Sequence, residues 1–174
     1  MTAADLELPA GATGVVAVVR GSGSRLVAEA LNRRGLGTVP VDLGAGEDPA
    51  DRLAGVVDWL GEYGPTADLE VGLFGAGAGA AAVLLAAAAR PDPVRAVVCH
   101  GGRPDLAGPA LIEVAAPTLF LVGERDGEGL ELDRQACATM TVAVELRIVP
   151  GGGDQVAEQA GEWFAGHLER RPAH

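Results

Sequence analysis

Short runs of β-branched and aliphatic residues recur along the chain, and between them lie segments whose apolar residues fall at helical spacing. Val15 to Val19 is an unbroken apolar run, the pattern of a strand buried on both faces. Similar runs over Thr38–Leu43, Leu69–Phe74, Val94–Cys99, Thr118–Val122 and Ala143–Val149 predict further strands, and Asp5–Leu8 reads as a short edge strand. Between them, Leu26, Val27, Ala30 and Leu31 form one stripe of a helix that Ser24 can cap and Gly35 stops. Asp48-Pro49 opens a second helix, with Leu53, Val56, Val57 and Leu60 on its inner face. The Ala/Leu-rich segment that follows the Gly75–Gly79 turn and runs to Arg90 predicts a third helix, Leu130–Met140 a fourth, and Asp154 can cap a last one running to about Glu169. His100–Pro117 reads as loop, with a helical turn near Leu106–Glu113. Buried strands alternating with amphipathic helices predict an α/β fold: a doubly wound, mostly parallel sheet flanked by helices, in one domain spanning residues 1–174. Right-handed crossovers place the strand-to-helix loops along one sheet edge, where such folds bind ligands.

The sharpest of those loops is Gly75-Ala76-Gly77-Ala78-Gly79, between a predicted strand and a predicted helix. It has the spacing of the nucleophile elbow Gly-x-Ser-x-Gly, with Gly77 where the nucleophile would stand. The same glycines fit the dinucleotide fingerprint Gly-x-Gly-x-x-Ala. That reading also needs an acidic residue at the end of the next strand to hold a ribose, and Cys99-His100 stands there. No cofactor is therefore expected.

Composition narrows the chemistry. The chain has 174 residues, 48% of them hydrophobic, and a formal net charge of −11 without a basic run, which argues against nucleic acid and anionic membranes as partners. It has no lysine, so Schiff-base chemistry on a lysine is excluded. Cys99 and Cys137 match no metal or redox spacing, so no metal site is expected, and both read as reduced cysteines of a cytoplasmic protein. Met1–Ala12 lacks the charged and apolar regions of a signal peptide, and the longest apolar stretch is too short to span a bilayer. The alanine-rich helices are the candidate face for a homodimer.

Taken in order, the motifs resemble the α/β-hydrolase superfamily and, within it, the dienelactone hydrolase-like branch. The likeness runs through Arg20-Gly21-Ser22-Gly23 after the first long strand, where the family usually has an oxyanion loop His-Gly-x-Gly. It continues through the elbow and Gly101-Gly102-Arg103-Pro104-Asp105-Leu106 to Gly123-Glu124-Arg125-Asp126, the usual home of the triad acid, and ends at Pro150-Gly151-Gly152-Gly153-Asp154, where the family presents its histidine. The resemblance implies a minimal hydrolase fold without a lid, with Asp126 kept as the acid, Gly77 at the nucleophile position, Asp154 at the histidine position and Arg20 in place of the loop histidine. A chain with neither nucleophile nor base lacks the covalent stage and the proton shuttle of acyl transfer.

Within that frame Asp126, Asp154, His100 and Arg20 are the candidate catalytic residues. In the parent geometry acid and histidine touch, so Asp154 would bring a second carboxylate to Asp126, and the two would share a proton; alternatively, Asp154 only caps its helix. Arg20 could polarise a carbonyl, helped by Gly21, Ser22, Gly23 and the Ala78 amide as an oxyanion and substrate-binding group, or simply pair with a nearby carboxylate. His100 follows a strand end and could give or take a proton; Cys99 points the other way and reads as buried. Ser22 could attack only with a base that the sequence does not identify. The functions that follow are a non-hydrolytic enzyme (isomerase, lyase or cyclase) acting on a carbonyl-bearing small molecule, a catalytically inactive pseudo-hydrolase that binds a ligand or partner, or a residual dienelactone hydrolase-like hydrolase.

Overall fold

The structure, a computed structural model, describes residues 5–44 and 46–168. Six strands, β1 (Gly14–Val19), β2 (Gly37–Val41), β3 (Glu70–Ala76), β4 (Val94–His100), β5 (Thr118–Gly123) and β6 (Val144–Val149), form one sheet in the order β2-β1-β3-β4-β5-β6. Every pairing in it is parallel. Five α-helices connect them: α1 (Ser24–Arg33), α2 (Pro49–Glu62), α3 (Gly79–Ala89), α4 (Gly127–Thr139) and α5 (Gly153–His167).

The unbroken apolar run of β1 is explained by its two faces. Val15, Ala17 and Val19 join the core under α2 and α3, while Val16 and Val18 join the core under α1 and α5. One face of helix α3 is enclosed: Ala80, Ala82, Val83, Leu84, Ala86 and Ala87 are all buried, while Ala81, Leu85 and Ala88 are half-buried and Ala89 is exposed. The described helices include none long and apolar enough to cross a membrane.

Several local expectations need correction. Residues 5–8 form no strand; Glu7 makes only an isolated antiparallel bridge to Thr38. Ser24 is the first residue of α1 and not its cap, because Gly23 occupies the cap position with φ +81°. The Ser24 hydroxyl instead turns back on the preceding loop, donating to the Gly21 carbonyl and accepting from the Gly21 N–H. Helix α4 begins three residues earlier than predicted, since Asp126 caps it by accepting the Gly129 N–H at 2.9 Å. Asp154 caps nothing: Gly152 holds that position in α5, and Asp154 is an exposed residue of the first turn. The predicted end of α5 at Glu169 lies outside the described residues. The segment after β4 is a 3-10 helix over Pro104–Glu113, kinked at Gly108. Asp48 caps α2 through the Ala50 and Asp51 amides, as its sequence predicts.

Candidate active site

The carboxyl ends of β1, β3, β4 and β5 meet the amino ends of α1, α3 and α5 around a crevice. Its main part, about 440 Å3, is lined by Ser22, Ala76, Gly77, His100, Gly101, Gly102, Gly123 and Asp126. A smaller recess of about 100 Å3 adjoins it, sharing Ser22 and His100 and adding Gly23, Phe74 and Gly153 among others. Partial positive charge from the helix amino ends therefore reaches its rim.

The elbow forms one wall. Gly77 has φ +56°, a left-handed conformation, and a Cβ built on it would meet nothing within 4 Å. Its turn is pinned on both sides: the Gly77 N–H donates to the His100 carbonyl and the Ala80 N–H donates to the Gly77 carbonyl, each at 3.1 Å. The backbone thus presents position 77 to open space, and the residue there has no side chain to present. Across from it, Gly102 stands at φ +81° with its α-carbon close against the Gly77 carbonyl.

His100 and Asp126 face the same crevice. His100 ends β4 half-buried, and loss of solvation holds its pKa below the usual histidine value, so its ring is neutral at pH 7. Asp126 is exposed at the rim, with one carboxylate oxygen engaged as the α4 cap. Ser22 lies exposed on the opposite loop.

The other sequence candidates sit elsewhere. Arg20 pairs with Asp42 at 3.3 Å, with 54% of its side chain exposed, and lines a separate surface cavity beside Ser24 and Glu29. Asp154 is absent from the lining of the crevice, although its neighbour Gly153 is present. Cys99 is buried, donates to the Ala80 carbonyl at 3.7 Å and has its thiol pKa pushed up by burial, as expected of an inert core thiol. The described residues contain no group of three or more His, Cys, Asp or Glu placed to hold a metal.

One group escaped the sequence reading. Asp133, on the inner face of α4, is 1% exposed, and neither carboxylate oxygen has a hydrogen-bond partner among the described residues. Burial, reinforced by the charge of Asp126, raises its pKa to about 7. No local pattern in the sequence marks it, since seven residues on from the exposed Asp126 the same helix face has become buried.

The chain matches no protein-family model. It is 41% identical over 194 aligned positions to a Mycobacterium tuberculosis protein, seen in two strains and provisionally named a phosphoribosyl transferase. That match takes in 95% of this chain but spans only 44% of the relative's length. Among solved structures, a dienelactone hydrolase from Anabaena variabilis superposes with a TM-score of 0.89 at 39% identity, covering 94% of this chain and 91% of that one. Est1E from Butyrivibrio proteoclasticus (TM-score 0.79, 15% identity, 92% of both chains) shares the fold. So does the esterase domain of a Rhodothermus marinus protein (TM-score 0.71, 18% identity, 93% of this chain and 91% of that one). Fold, sheet order and the near full-length match at 39% identity place the chain in the dienelactone hydrolase family of the α/β-hydrolase superfamily.

Proposed function

We propose that the chain binds a small carbonyl-bearing molecule in the crevice and moves protons on it without forming a covalent intermediate. The observation that carries this reading is that His100 and Asp126 line one open crevice whose elbow position, Gly77, has no side chain. With Gly77 at the family's nucleophile position and Asp154 at its histidine position, acyl transfer has neither an attacking atom nor a base. Proton transfer next to a carbonyl needs less. A neutral His100 takes the proton α to the carbonyl and the electron pair moves onto oxygen; where a C=C adjoins that carbon, the imidazolium returns the proton to the γ-carbon and the double bond moves into conjugation, giving an isomer. The developing oxyanion is stabilised by the Ala78 amide and the amino end of α3. Asp126 holds its place at the rim and orients the substrate or the imidazole. Arg20, tied to Asp42 outside the crevice, and the exposed Asp154 have no part in this step.

The test is isomerisation of small β,γ-unsaturated oxo acids and enol lactones by the native chain and by His100→Gln and Asp126→Asn. His100→Gln should lower turnover about 10²- to 10⁴-fold with the fold intact. In the native chain kcat/KM should rise with pH and level off below the usual histidine pKa, because burial disfavours the imidazolium. Ester hydrolysis that survives His100→Gln would instead mark a residual hydrolase.

A second reading is a pseudo-hydrolase that binds without turnover. It is favoured by Asp126, whose carboxylate already serves the α4 amino end. Saturable binding in the crevice with no product would establish it. The transferase name of the mycobacterial relative describes a protein more than twice as long as the matched segment and is no part of either reading.

A further inference from the structure

Among the described residues the sheet ends at β6, which has β5 on one side and no strand on the other. Its residues are only partly covered: Glu145 and Ile148 are exposed, and Val144, Leu146 and Arg147 are half-buried. The parallel pairing with β5 fixes which backbone groups are used. The Thr118 N–H donates to the Ala143 carbonyl, and the register pairs Thr118 with Val144. Strand alternation then turns the amide groups of Ala143, Glu145 and Arg147 towards β5, and those of Val144, Leu146 and Ile148 away from it.

Those outward groups are a template for another strand, and the side chains decide which one fits. In an antiparallel pairing of two β6 strands with Leu146 opposite its own copy, Val144 falls opposite Ile148. These are the hydrogen-bonded positions, using the outward backbone groups of both chains. Glu145 then falls opposite Arg147, twice, at the non-hydrogen-bonded positions, where α-carbons are about 4.5 Å apart and side chains are closest. Within one chain Arg147 already holds Glu145 at 2.8 Å, so both charges lie on the same sheet face. Shifting the register by one step either way that keeps the backbone in phase sets Glu145 against Glu145, or Arg147 against Arg147. Only the centred register satisfies backbone, apolar pair and charges together.

We propose that β6 is a homodimerisation edge: two copies pair antiparallel through it, with Glu145 of each opposite Arg147 of the other, joining the two six-stranded sheets into one. The apolar contribution comes from Ile148, 52% exposed in the single chain, against the half-buried Val144 of the other copy. Arg147 is pre-positioned by Gln159 and lies 5.9 Å from the Trp163 ring centre. It therefore loses little side-chain freedom on pairing. This inference is independent of the chemistry of the crevice.

The test is a charge-swap cycle on the full chain, read by light scattering and sedimentation at micromolar concentrations, with circular dichroism as the folding control. The native chain should be a dimer. Glu145→Arg alone and Arg147→Glu alone should each weaken dimerisation at least about tenfold, because each opposes like charges twice. Mixing the two folded variants should restore a dimer containing one of each, since every facing pair is then of opposite sign. A native chain that stays monomeric overturns the proposal. So do single reversals that remain dimeric, which would put the interface on another face, and a mixture of folded variants that fails to associate.

Discussion

Gly102→Ala is expected to destabilise the protein by about 3 kcal/mol or more and to lower its melting temperature by roughly 10 °C. A methyl at this position would stand 2.1 Å from the Gly77 carbonyl oxygen, a backbone atom that cannot swing aside as a side chain could. The residue also lies at φ +81°, where any Cβ adds strain. The carbonyl it would strike accepts the Ala80 N–H that closes the elbow, so the damage should spread to the turn that shapes the crevice. Gly77→Ala separates the two causes. Position 77 has a positive φ but open space, and its cost should be only the conformational part, about 1–2 kcal/mol. Thermal melts of the two variants check this. Equal losses would show that the loop after β4 moves away freely and that its contact with the elbow fixes nothing.

The second large effect concerns Asp133. Its pKa in the folded protein is about 7, against about 3.9 for a free aspartate. The native state therefore binds this proton more tightly than the unfolded chain does. The sign follows from linkage: the contribution is fully present below pH about 4 and is lost as pH rises to about 7. The loss should be on the order of 2–4 kcal/mol. Asp133→Asn, which carries no charge at any pH, should remove this slope and exceed the native chain in stability above neutrality. Asp58 and Asp105 pull the other way, because Arg90 and Arg103 hold their carboxyls low and those pairs weaken in acid. The diagnostic quantity is therefore the difference between the native and Asp133→Asn denaturation curves across that range. Parallel curves would mean that Asp133 is solvated or ion-paired in solution and that its burial costs nothing.

The fold was readable because its signals are local and repeated. Each buried strand announces itself as an apolar run, and Asp48-Pro49 marks the start of α2 with a cap and a first-turn proline. The elbow was equally plain, since glycines at 75 and 77 permit the close approach and the positive φ that a sharp strand-to-helix turn requires. The site was less legible because its partnerships are long-range. Nothing near Arg20 in the sequence shows that Asp42, at the end of the neighbouring strand, will take its charge. Asp126 reads as a triad acid by position, but its first bond is to its own helix. The carboxylate expected beside Asp126 is Asp154, which is exposed in the first turn of α5 and absent from the crevice lining. The group whose charge the structure couples to Asp126 is Asp133, from the same helix, and a polar residue inside an otherwise ordinary amphipathic stretch gives no sign of how deeply it is buried.

We propose above that this hydrolase fold acts on a carbonyl compound through His100 and without a nucleophile. The most direct measurement is solvent deuterium incorporation at the carbon next to the carbonyl of small oxo acids, followed by NMR with the native chain and with His100→Gln. The expected result is catalysed exchange by the native chain that His100→Gln reduces at least about a hundredfold, with no ester cleavage. Exchange no faster than in buffer, or equal in both proteins, would contradict it.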